Sequence, residues 1–243
     1  MIKVASYNIR KSVGTDRQRQ PHRILSILEE LDADVIALQE VDRRFGARTT
    51  TLLAEAILDQ TRYAPVRFGI REQSLGWHGN ALLVKKGIEI IAQERIALPA
   101  FEPRGAVLAD LRVGGEPLRV VGMHLGLLGN WRLKQAEAVV SYLEKFEIGH
   151  PTVIMGDLNQ WATDGGCLAQ FARHHTVVAP GPSFHARRPM LQLDRIILSR
   201  DLALGATGVH HTALARTGSD HLPVWATIER RRAPEAAPAL TFP

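Results

Sequence analysis

The chain has 243 residues, 45% of them hydrophobic, which is enough to build one globular domain, and its formal net charge is +5. Its single cysteine, Cys167, excludes an intrachain disulfide and a zinc site built on paired cysteines, while the positive charge gives only a weak preference for polyanions such as nucleic acid or acidic lipid headgroups. No apolar run has the character of a signal-peptide core or reaches the roughly 18 to 20 residues of a membrane-spanning helix, so we expect a cytoplasmic, monomeric protein without a transmembrane segment.

The first part of the chain alternates strands with helices. Strands are predicted where apolar residues alternate with polar ones or form a short apolar run, and helices where apolar residues recur every three or four positions. The predicted strands cover residues 1–9 and 35–38, and the predicted helices run from Pro21 to Leu31 and from about Thr51 to Gln60. Each strand delivers a polar residue at its end, Asn8 in the first and Glu40 in the second.

The rest of the chain is richer in strands. They are predicted at 81–84, 88–92, 106–113, 118–123, 151–155, 193–198 and 224–228, with one helix over 133–146. Helices and strands mix in both halves without a regular strand–helix–strand repeat, which favours the α+β class, with two packed, largely antiparallel sheets and helices outside. We expect a single domain over residues 1–230 and a disordered tail over 231–243, which is rich in alanine and proline.

Polar residues that a purely structural strand does not need stand at several strand ends. A single aspartate or histidine at such a position is more often a turn or capping residue than a catalyst. A whole set of them in one order is poorly explained by chance. They are Asn8 in Ser-Tyr-Asn-Ile, Glu40 in Leu-Gln-Glu-Val-Asp, His124 in Gly-Met-His-Leu, Asp157 and Asn159 in Met-Gly-Asp-Leu-Asn, Asp194 in Gln-Leu-Asp-Arg-Ile, and Asp220 and His221 in Gly-Ser-Asp-His-Leu-Pro-Val.

With these motifs the chain resembles the endonuclease/exonuclease/phosphatase superfamily, the deoxyribonuclease-like metal phosphoesterases. The matching motifs run from Asn8 to His221 and are highly specific as a set. The resemblance implies the family's fold, a four-layer α/β/β/α sandwich of two mostly antiparallel sheets flanked by helices. It also implies a magnesium cofactor (Mg²⁺), with manganese (Mn²⁺) as a substitute.

The same residues suit the chemistry of phosphodiester hydrolysis. That reaction needs a cation to neutralise phosphoryl charge, an acceptor or orienting group for water, and donors aimed at the transition state. Glu40 is the best candidate for a direct magnesium ligand, with Asn8 and Asp220 completing or supporting the site, because Mg²⁺ prefers few protein oxygens. We expect Asp157 to accept a proton from the attacking water or to orient it. Asn159, two residues on along an extended segment, would hold that water or a phosphate oxygen.

Two histidines are predicted to act on the phosphate. We expect His221 to donate to the scissile phosphate and Asp194 to fix its ring, which raises the pKa of the histidine. His124, in its His-Leu motif, resembles the histidine of the deoxyribonuclease, sphingomyelinase and inositol-phosphatase branches, which acts on the phosphate or the leaving oxygen. Abasic-site endonucleases carry a different motif there. A histidine satisfied within the rim of a sheet is the alternative for His124.

Three further residues are candidates for substrate binding: Asn80, Arg104 and Arg132. Arg104 could form a bidentate contact to phosphate, although a surface ion pair explains it about as well. Many other arginines lie singly along predicted helices and loops, so a solvated basic face accounts for most of them. The region after Trp77 and the segment 180–189 are expected to border the site and to decide the substrate. Phe184, in that segment, either stacks on a base or covers the core.

The sequence therefore predicts a metal-dependent phosphodiesterase that hydrolyses a nucleic acid or a phospholipid-like diester by magnesium-assisted attack of water. The same machinery serves terminal phosphates, so a phosphomonoesterase acting on an inositol phosphate or a small metabolite is the alternative. A catalytically silent scaffold that binds an acidic partner is a third hypothesis. Substitution of Glu40, Asp157 or His221 would have indicated such a scaffold, and all three residues are present.

Overall fold

The computed structural model describes residues 1–44, 46–68, 73–99, 102–146 and 150–231, and it consists of two six-stranded β-sheets with helices outside. The strands are β1 (Ile2–Asn8), β2 (Val35–Gln39), β3 (Tyr63–Pro65), β4 (Ala81–Lys85), β5 (Glu89–Ala97), β6 (Gly105–Val113), β7 (Glu116–His124), β8 (Thr152–Asp157), β9 (His175–Val178), β10 (Asp194–Ser199), β11 (Leu202–Val209) and β12 (Val224–Arg230). The helices are α1 (Pro21–Leu31), α2 (Ala54–Gln60), α3 (Gly129–Leu143), α4 (Gly166–Ala172) and the single turn α5 (Ala215–Gly218), and a 3₁₀ turn spans Arg10–Ser12.

The two sheets are mixed but mostly antiparallel. The first has the strand order β11-β12-β1-β2-β4-β3, and the second has the order β5-β6-β7-β8-β10-β9. Among the described strands each sheet contains one parallel pair, β1 with β2 and β7 with β8, and the other neighbours are antiparallel. The prediction of an α+β fold with two largely antiparallel sheets flanked by helices is therefore confirmed.

Three hydrophobic clusters hold four layers together. Successive strand residues point to opposite faces, so each sheet contributes to an inner and an outer cluster, and this explains why its strands are almost continuously apolar. Members of the cluster between the sheets include Val4, Leu82, Val107 and Met155. Members of the cluster under α1 include Ile24, Leu28 and Ile36, and members of the cluster under α3 and α4 include Val139, Ile154 and Phe171.

Gly122 in β7 lies where the two sheets approach each other closely. A β-carbon built at this position would lie 3.1 Å from Cδ2 of Leu82 and 3.4 Å from Cβ of Ala37, both in the first sheet. The first of these distances is shorter than ordinary van der Waals contact, so a side chain here would require the side chain of Leu82 to give way. The absence of a side chain at Gly122 therefore helps to set the gap between the sheets.

Helix bounds differ from the prediction where loop hydrogen bonds intervene. α2 begins later than predicted because the N–H and the hydroxyl of Thr51 both donate to the carbonyl of Val41, at 2.8 and 3.0 Å. α3 begins earlier because the N–H of Arg132 donates to the carbonyl of Leu128 at 3.0 Å. The sequence prediction also missed α4 and the strands β3, β9 and β11. Each of these three strands is an outermost strand of its sheet, where a weak apolar pattern suffices.

Of the helices in the described ranges, none combines the length and the apolar character that crossing a membrane requires. Of the predicted disordered tail, Arg231 alone falls within the described residues, and positions 232–243 lie outside them. The domain boundaries given above therefore stay a prediction.

Candidate active site

Strand register lines up three of the predicted catalytic residues along one edge of the second sheet. His124 ends β7 and lies opposite Asp157, which ends the parallel neighbour β8. Asp194 begins β10 and lies opposite Asp157 from the antiparallel side. Residues directly opposite each other in a sheet project to the same face. Pairing alone therefore brings these three side chains together.

The first sheet gathers its predicted residues at one edge in the same way. Asn8 ends β1 and lies opposite Gln39, the last residue of the parallel neighbour β2, so Glu40 follows one residue beyond. β12 runs antiparallel to β1, so the residues just before it, Asp220 and His221, return to this edge. Positions that are remote along the chain are thus adjacent in the fold.

The two edges meet at one carboxylate oxygen. Nδ2 of Asn8, in the first sheet, donates to Oδ2 of Asp157, in the second, at 3.0 Å. Nε2 of His124 lies 3.4 Å from the same oxygen, and Nε2 of His221 lies 3.5 Å from it. All four residues are buried. Asp157 is therefore the centre of a polar cluster that spans the gap between the sheets.

Asn159 reaches this cluster by a turn. The expectation that it lies on an extended segment is wrong, because β8 ends at Asp157 and the backbone of Asn159 has a positive φ of 51°. Its N–H donates to Oδ1 of Asp157 at 2.9 Å, which closes a local turn of the kind aspartate favours. Its side-chain amide donates to the carbonyl of Leu125 at 2.9 Å and lies 3.2 Å from Nε2 of His124.

His221 is held from behind by a carboxylate. Its Nδ1 lies 2.9 Å from Oδ2 of Asp194, and the hydroxyl of Ser183 donates to the same oxygen at 2.5 Å. Burial lowers the pKa of His221, but the negative charges of Asp194 and then Asp157 outweigh burial and raise the pKa to about 10. The ring is therefore a cation at neutral pH, with one N–H donated to Asp194.

The environments of His124 and Asp157 shift their pKa values differently. Burial holds the pKa of His124 well below its ordinary value, and the positive charges of Arg104 and His221 lower it further, so this ring is neutral at neutral pH. Burial raises the pKa of Asp157 to about 6, against the lowering effect of the His221 charge. A carboxylate with that pKa is ionised at neutral pH and is well matched to accepting a proton there.

The two remaining predicted metal-site carboxylates face cations. Nζ of Lys11 forms an ion pair with Oε2 of Glu40, and Nε of Arg10 lies 3.3 Å from Oδ2 of Asp220. The hydroxyl of Ser219 donates to the other oxygen of Asp220 at 3.2 Å. Both cations come from the 3₁₀ turn that follows β1. The negative charge at this edge thus already attracts positive groups.

Two sets of residues could hold a divalent cation. Among the described residues, Asp157, Asp194 and His221 offer ligand atoms within 4.8 Å of one another. A protonated imidazole has no free lone pair, so this trio suits proton transfer better than metal ligation. Glu40 and Asp220 are hard oxygen ligands of the kind that Mg²⁺ prefers, and cations already lie against them. The chemical type of these oxygen donors therefore fits the implied metal.

Asn80 and Arg104 lie beside the cluster. Nδ2 of Asn80 donates to the carbonyl of Gly105 at 2.8 Å, while its Oδ1 is buried without a hydrogen-bond partner in the described structure. Arg104 lines a pocket together with His124 and pairs with Glu102 at 3.3 Å. The ion pair considered for Arg104 exists, but the arginine side of it is buried, with 5% of the residue exposed.

Arg132 contacts a loop near the cluster. Its guanidinium donates to the carbonyls of Gly126 and Leu127, and its Nε lies 3.3 Å from Oε1 of Gln160. These bonds brace the loop that follows His124. No contact in the described part of the chain joins Arg132 to the catalytic cluster, so its direct role in substrate binding stays a prediction.

Sequence reasoning missed the contacts that Ser183, Lys11 and Arg10 make with carboxylates of the site. Ser183 stands in the segment 180–189 that was expected to border the site, but its bond to a carboxylate depends on tertiary structure. Lys11 had no sequence signal beyond its nearness to a predicted ligand. In the same segment, the ring of Phe184 packs 4.9 Å from the ring of His221, so it covers that histidine on one side.

Comparisons with known proteins agree with this geometry. The protein YbhP of Escherichia coli (strain K12) is 26% identical over 248 residues, which cover 93% of this chain and 96% of that protein. A mannosyl-6-phosphatase of Bacteroides thetaiotaomicron shares the fold with a TM-score of 0.73 at 17% identity, over 94% of this chain and 100% of that one. D. rerio TDP2, in complex with a single-strand DNA product, has a TM-score of 0.72 at 15% identity, over 94% of this chain and 98% of that one.

The family model described as Endonuclease/Exonuclease/phosphatase family matches residues 5–221. That range includes every residue of the cluster, from Asn8 to His221. It also includes most strands of both sheets. The chain belongs to the endonuclease/exonuclease/phosphatase family, whose members are hydrolases that act on phosphate esters.

Proposed function

We propose that the protein is a phosphodiesterase that hydrolyses a phosphodiester bond by attack of water, with Mg²⁺ as cofactor and Mn²⁺ as a substitute. The observation that carries the proposal is the meeting of Asn8, His124 and His221 around Oδ2 of Asp157. A buried carboxylate flanked by an amide and two histidines supplies an acceptor for a proton and donors for phosphoryl oxygens within one cluster.

The metal would be held by Glu40, with Asn8 and Asp220 completing or supporting the site. The cations that face Glu40 and Asp220 support this choice, because they occupy positions where positive charge is favoured. A divalent cation, when bound, neutralises charge that gathers on the phosphoryl oxygens and the leaving group. Mg²⁺ binds through few protein oxygens and leaves room for water and substrate phosphate.

Proton transfer is the task of the second sheet's edge. Asp157 accepts the proton of the attacking water, and the amides of Asn8 and Asn159 hold the carboxylate in place. His221 donates to a phosphoryl oxygen, because its other nitrogen is occupied by Asp194. A donor that already carries its proton needs no rearrangement when negative charge develops.

His124 has a different task from that of His221. A neutral imidazole has one N–H and one lone pair, so His124 donates to the phosphate or the leaving oxygen while it keeps its contact with Asn159. It reaches the substrate from the side of Arg104, with which it lines a pocket. The substrate phosphate thus lies between a neutral histidine, His124, and a positively charged one, His221.

The test is hydrolysis of bis-p-nitrophenyl phosphate with Mg²⁺ or Mn²⁺, before and after chelation. Asp157→Asn should lower kcat by about 10³-fold, since general-base catalysis contributes a rate enhancement of about this size. Asp59→Asn, at an exposed aspartate on α2, is the matched control and should behave like the parent. Activity that survives chelation, or an Asp157→Asn variant as active as the parent, contradicts the proposal.

A phosphomonoesterase is the second candidate. It is favoured by the excess of arginine and lysine over acidic residues in the pocket that Glu40 and His124 share, because a terminal phosphate carries more negative charge than a diester. Assay of p-nitrophenyl phosphate beside the bis ester separates the two activities. Tight nucleic-acid binding that survives chelation, with no turnover of either ester, would instead favour a silent scaffold. The cytoplasmic location and the monomeric state stay predictions.

A further inference from the structure

A pocket rich in arginine lies directly beside the catalytic cluster. It is open to solvent, and Glu40 and His124 form part of its wall. The remaining wall comes from the 3₁₀ turn after β1, the loop after β2, the loop before β4 and the loop before β6. The cationic residues that line it, here called the arginine pocket, are Lys11, Arg43, Arg44, Arg48 and Arg104.

Both sheets place the arginine pocket on the same side of the cluster. His78 and Gly79 precede β4, which neighbours β2 on the side away from β1, and Arg104 precedes β6, which neighbours β7 on the side away from β8. Asp220 and Asp194 lie by β12 and β10, on the other side. A substrate bound at the cluster therefore meets the pocket only where it extends toward β4 and β6.

The positive charge of the pocket is only partly balanced. Arg44 and Arg104 share one carboxylate, that of Glu102, at 3.6 and 3.3 Å. Arg48 contacts Nδ1 of His78 at 3.3 Å, and Arg43 has no side-chain ion pair, so neither faces a carboxylate among the described residues. Clustered like charges repel, and an anion in their midst removes that repulsion.

The acidic residue Asp42 forms no ion pair with the pocket arginines in the part of the chain that the structure describes. Although it contributes to the wall, its carboxylate accepts the hydroxyl of Ser74 at 2.8 Å and the N–H groups of Leu75 and Gly76 at 3.0 and 3.2 Å. Those three bonds fix the loop that precedes β4. The carboxylate is therefore committed to the backbone.

A second observation also points to a ligand. Arg104 is 5% exposed, yet its Nε is buried without a hydrogen-bond partner in the described structure. Leaving a buried donor unpaired costs free energy, more so on a charged group. Because Arg104 lines the pocket, an anion placed there would lie against its guanidinium group.

We propose that the arginine pocket binds a second phosphate group of the substrate, next to the phosphate that is cleaved. This inference rests on the proposed function and narrows it to esters that carry at least two phosphates. A guanidinium presents a planar fork of N–H donors that matches phosphate oxygens. Arg43, Arg48 and Arg104 together offer more donors than one carboxylate can accept, so a phosphate is the better fit than a carboxylate.

The test compares two chromogenic esters that differ by one phosphate. These are thymidine 5′-(p-nitrophenyl phosphate) and its derivative that also carries a 3′-phosphate. We expect kcat/KM to be at least about ten-fold higher for the derivative, mainly through a lower KM, because charge-assisted hydrogen bonds to phosphate are the stronger class. Equal kcat/KM values for the two esters would overturn the inference.

Charge-removing variants test the residues. Arg43→Gln with Arg48→Gln should bring the ratio of the two kcat/KM values close to one. Arg112→Gln with Arg230→Gln removes two exposed arginines that pair with glutamates elsewhere, and this matched control should keep the parent's ratio. A ratio that falls equally in both double variants would reflect general electrostatic attraction and would overturn the role of the pocket.

Binding measurements separate this inference from the proposed function. Calorimetry with thymidine 3′,5′-bisphosphate and with thymidine 5′-phosphate needs no turnover, and the bisphosphate should bind at least about ten-fold more tightly. If neither ester is hydrolysed but the bisphosphate binds more tightly, the proposed function fails and the pocket stands. If the two nucleotides bind equally, the pocket fails whatever the activity.

Oligothymidylates of increasing length distinguish the sources of the second phosphate. A gain in kcat/KM that begins at the second phosphate and stops there indicates a small doubly phosphorylated ester. A gain that begins at the second phosphate and grows with each further one indicates a nucleic acid strand that also runs beyond the pocket. A gain that begins only after the second phosphate overturns the inference, because the pocket would then contribute nothing.

Discussion

His124 and His221 lie 3.4 and 3.5 Å from the same oxygen of Asp157, yet one ring is neutral and the other is a cation at neutral pH. Both are buried, so burial does not explain the difference. His221 has the carboxylate of Asp194 behind it, whereas the largest effect of a neighbouring charge on the pKa of His124 comes from the cation of Arg104. The group behind the ring therefore decides its charge state.

This comparison teaches that the two sheets divide the chemistry between them. In the proposed mechanism the first sheet supplies the oxygen ligands at its edge, through Asn8, Glu40 and Asp220, and the second supplies the proton acceptor Asp157. His221 lies at the edge of the first sheet, but it is Asp194, in the second sheet, that raises its pKa and keeps it charged. The difference between the two histidines can be tested by substituting either ring or the carboxylate of Asp194.

The largest effect is expected from removing the charged ring. His221→Gln should lower kcat for a diester by about 10³-fold, because a donor aimed at developing charge is worth about this much. Steady-state kinetics at saturating Mg²⁺ gives the value. His211→Gln, at an exposed histidine, is the matched control and should leave kcat near that of the parent. A loss below about ten-fold for His221→Gln would contradict the donor role.

Removing the carboxylate behind the ring should come next. Asp194→Asn should lower kcat by about 10²-fold, and the alkaline limb of the pH–rate profile should move to lower pH, because the pKa of His221 falls when its partner loses its charge. Ser183→Ala removes the other hydrogen bond to Asp194 but keeps the carboxylate. That control should leave the alkaline limb in place, and an equal shift in both variants would refute the electrostatic explanation.

The pH dependence of the free energy of unfolding should also reveal the positive charge of His221. The folded-state pKa of His221, about 10, is above its ordinary value of 6.5, so its stabilising contribution is complete below pH 6.5 and is lost as the pH rises through the folded value. Between pH 7 and pH 9 the free energy of unfolding should fall by about 2 kcal/mol. Urea unfolding in the presence of a chelator measures this slope. It should be absent in His221→Gln, and a slope that persists there must come from another group.

The smallest effect is expected from the neutral ring. His124→Gln should lower kcat by about ten-fold, since glutamine keeps an N–H donor and no charge is removed. The shape of the pH–rate profile should not change, because the pKa of His124 already lies well below the neutral range. A limb that moves as far as in Asp194→Asn would show that His124 also carries a charge during the reaction.

The order of polar strand ends led to the prediction that Asn8, His124 and Asp157 meet, and the contacts at Oδ2 of Asp157 agree with it. Asn8, His124 and Asp157 end strands, and the ends of adjacent parallel strands share an edge, so their convergence follows from topology. The turn at Asn159 was not predictable from a spacing of two, because a positive φ follows from hydrogen bonds that the spacing does not encode. The bond from Ser183 likewise depends on how separate segments pack.

The arginine pocket shows the limit of reading charges one by one. Arg43, Arg44 and Arg48 are near one another in sequence, but the sequence prediction of a solvated basic face treated each as a separate surface charge. Arg104 is far from them along the chain and is buried beside them in the fold. A charge cluster assembled from several loops appears only when the loops are placed in three dimensions.

The cluster around Asp157 combines residues from both sheets. The distance between its two halves therefore depends on the side chains packed between the sheets. Gly122 lies two residues before His124 and touches the opposite sheet at Leu82 and Ala37. A methyl group added there would crowd Leu82 and Ala37 without altering any reacting group. If the proposed activity is right, we expect substitutions in this interior to affect turnover even though these positions never meet the substrate.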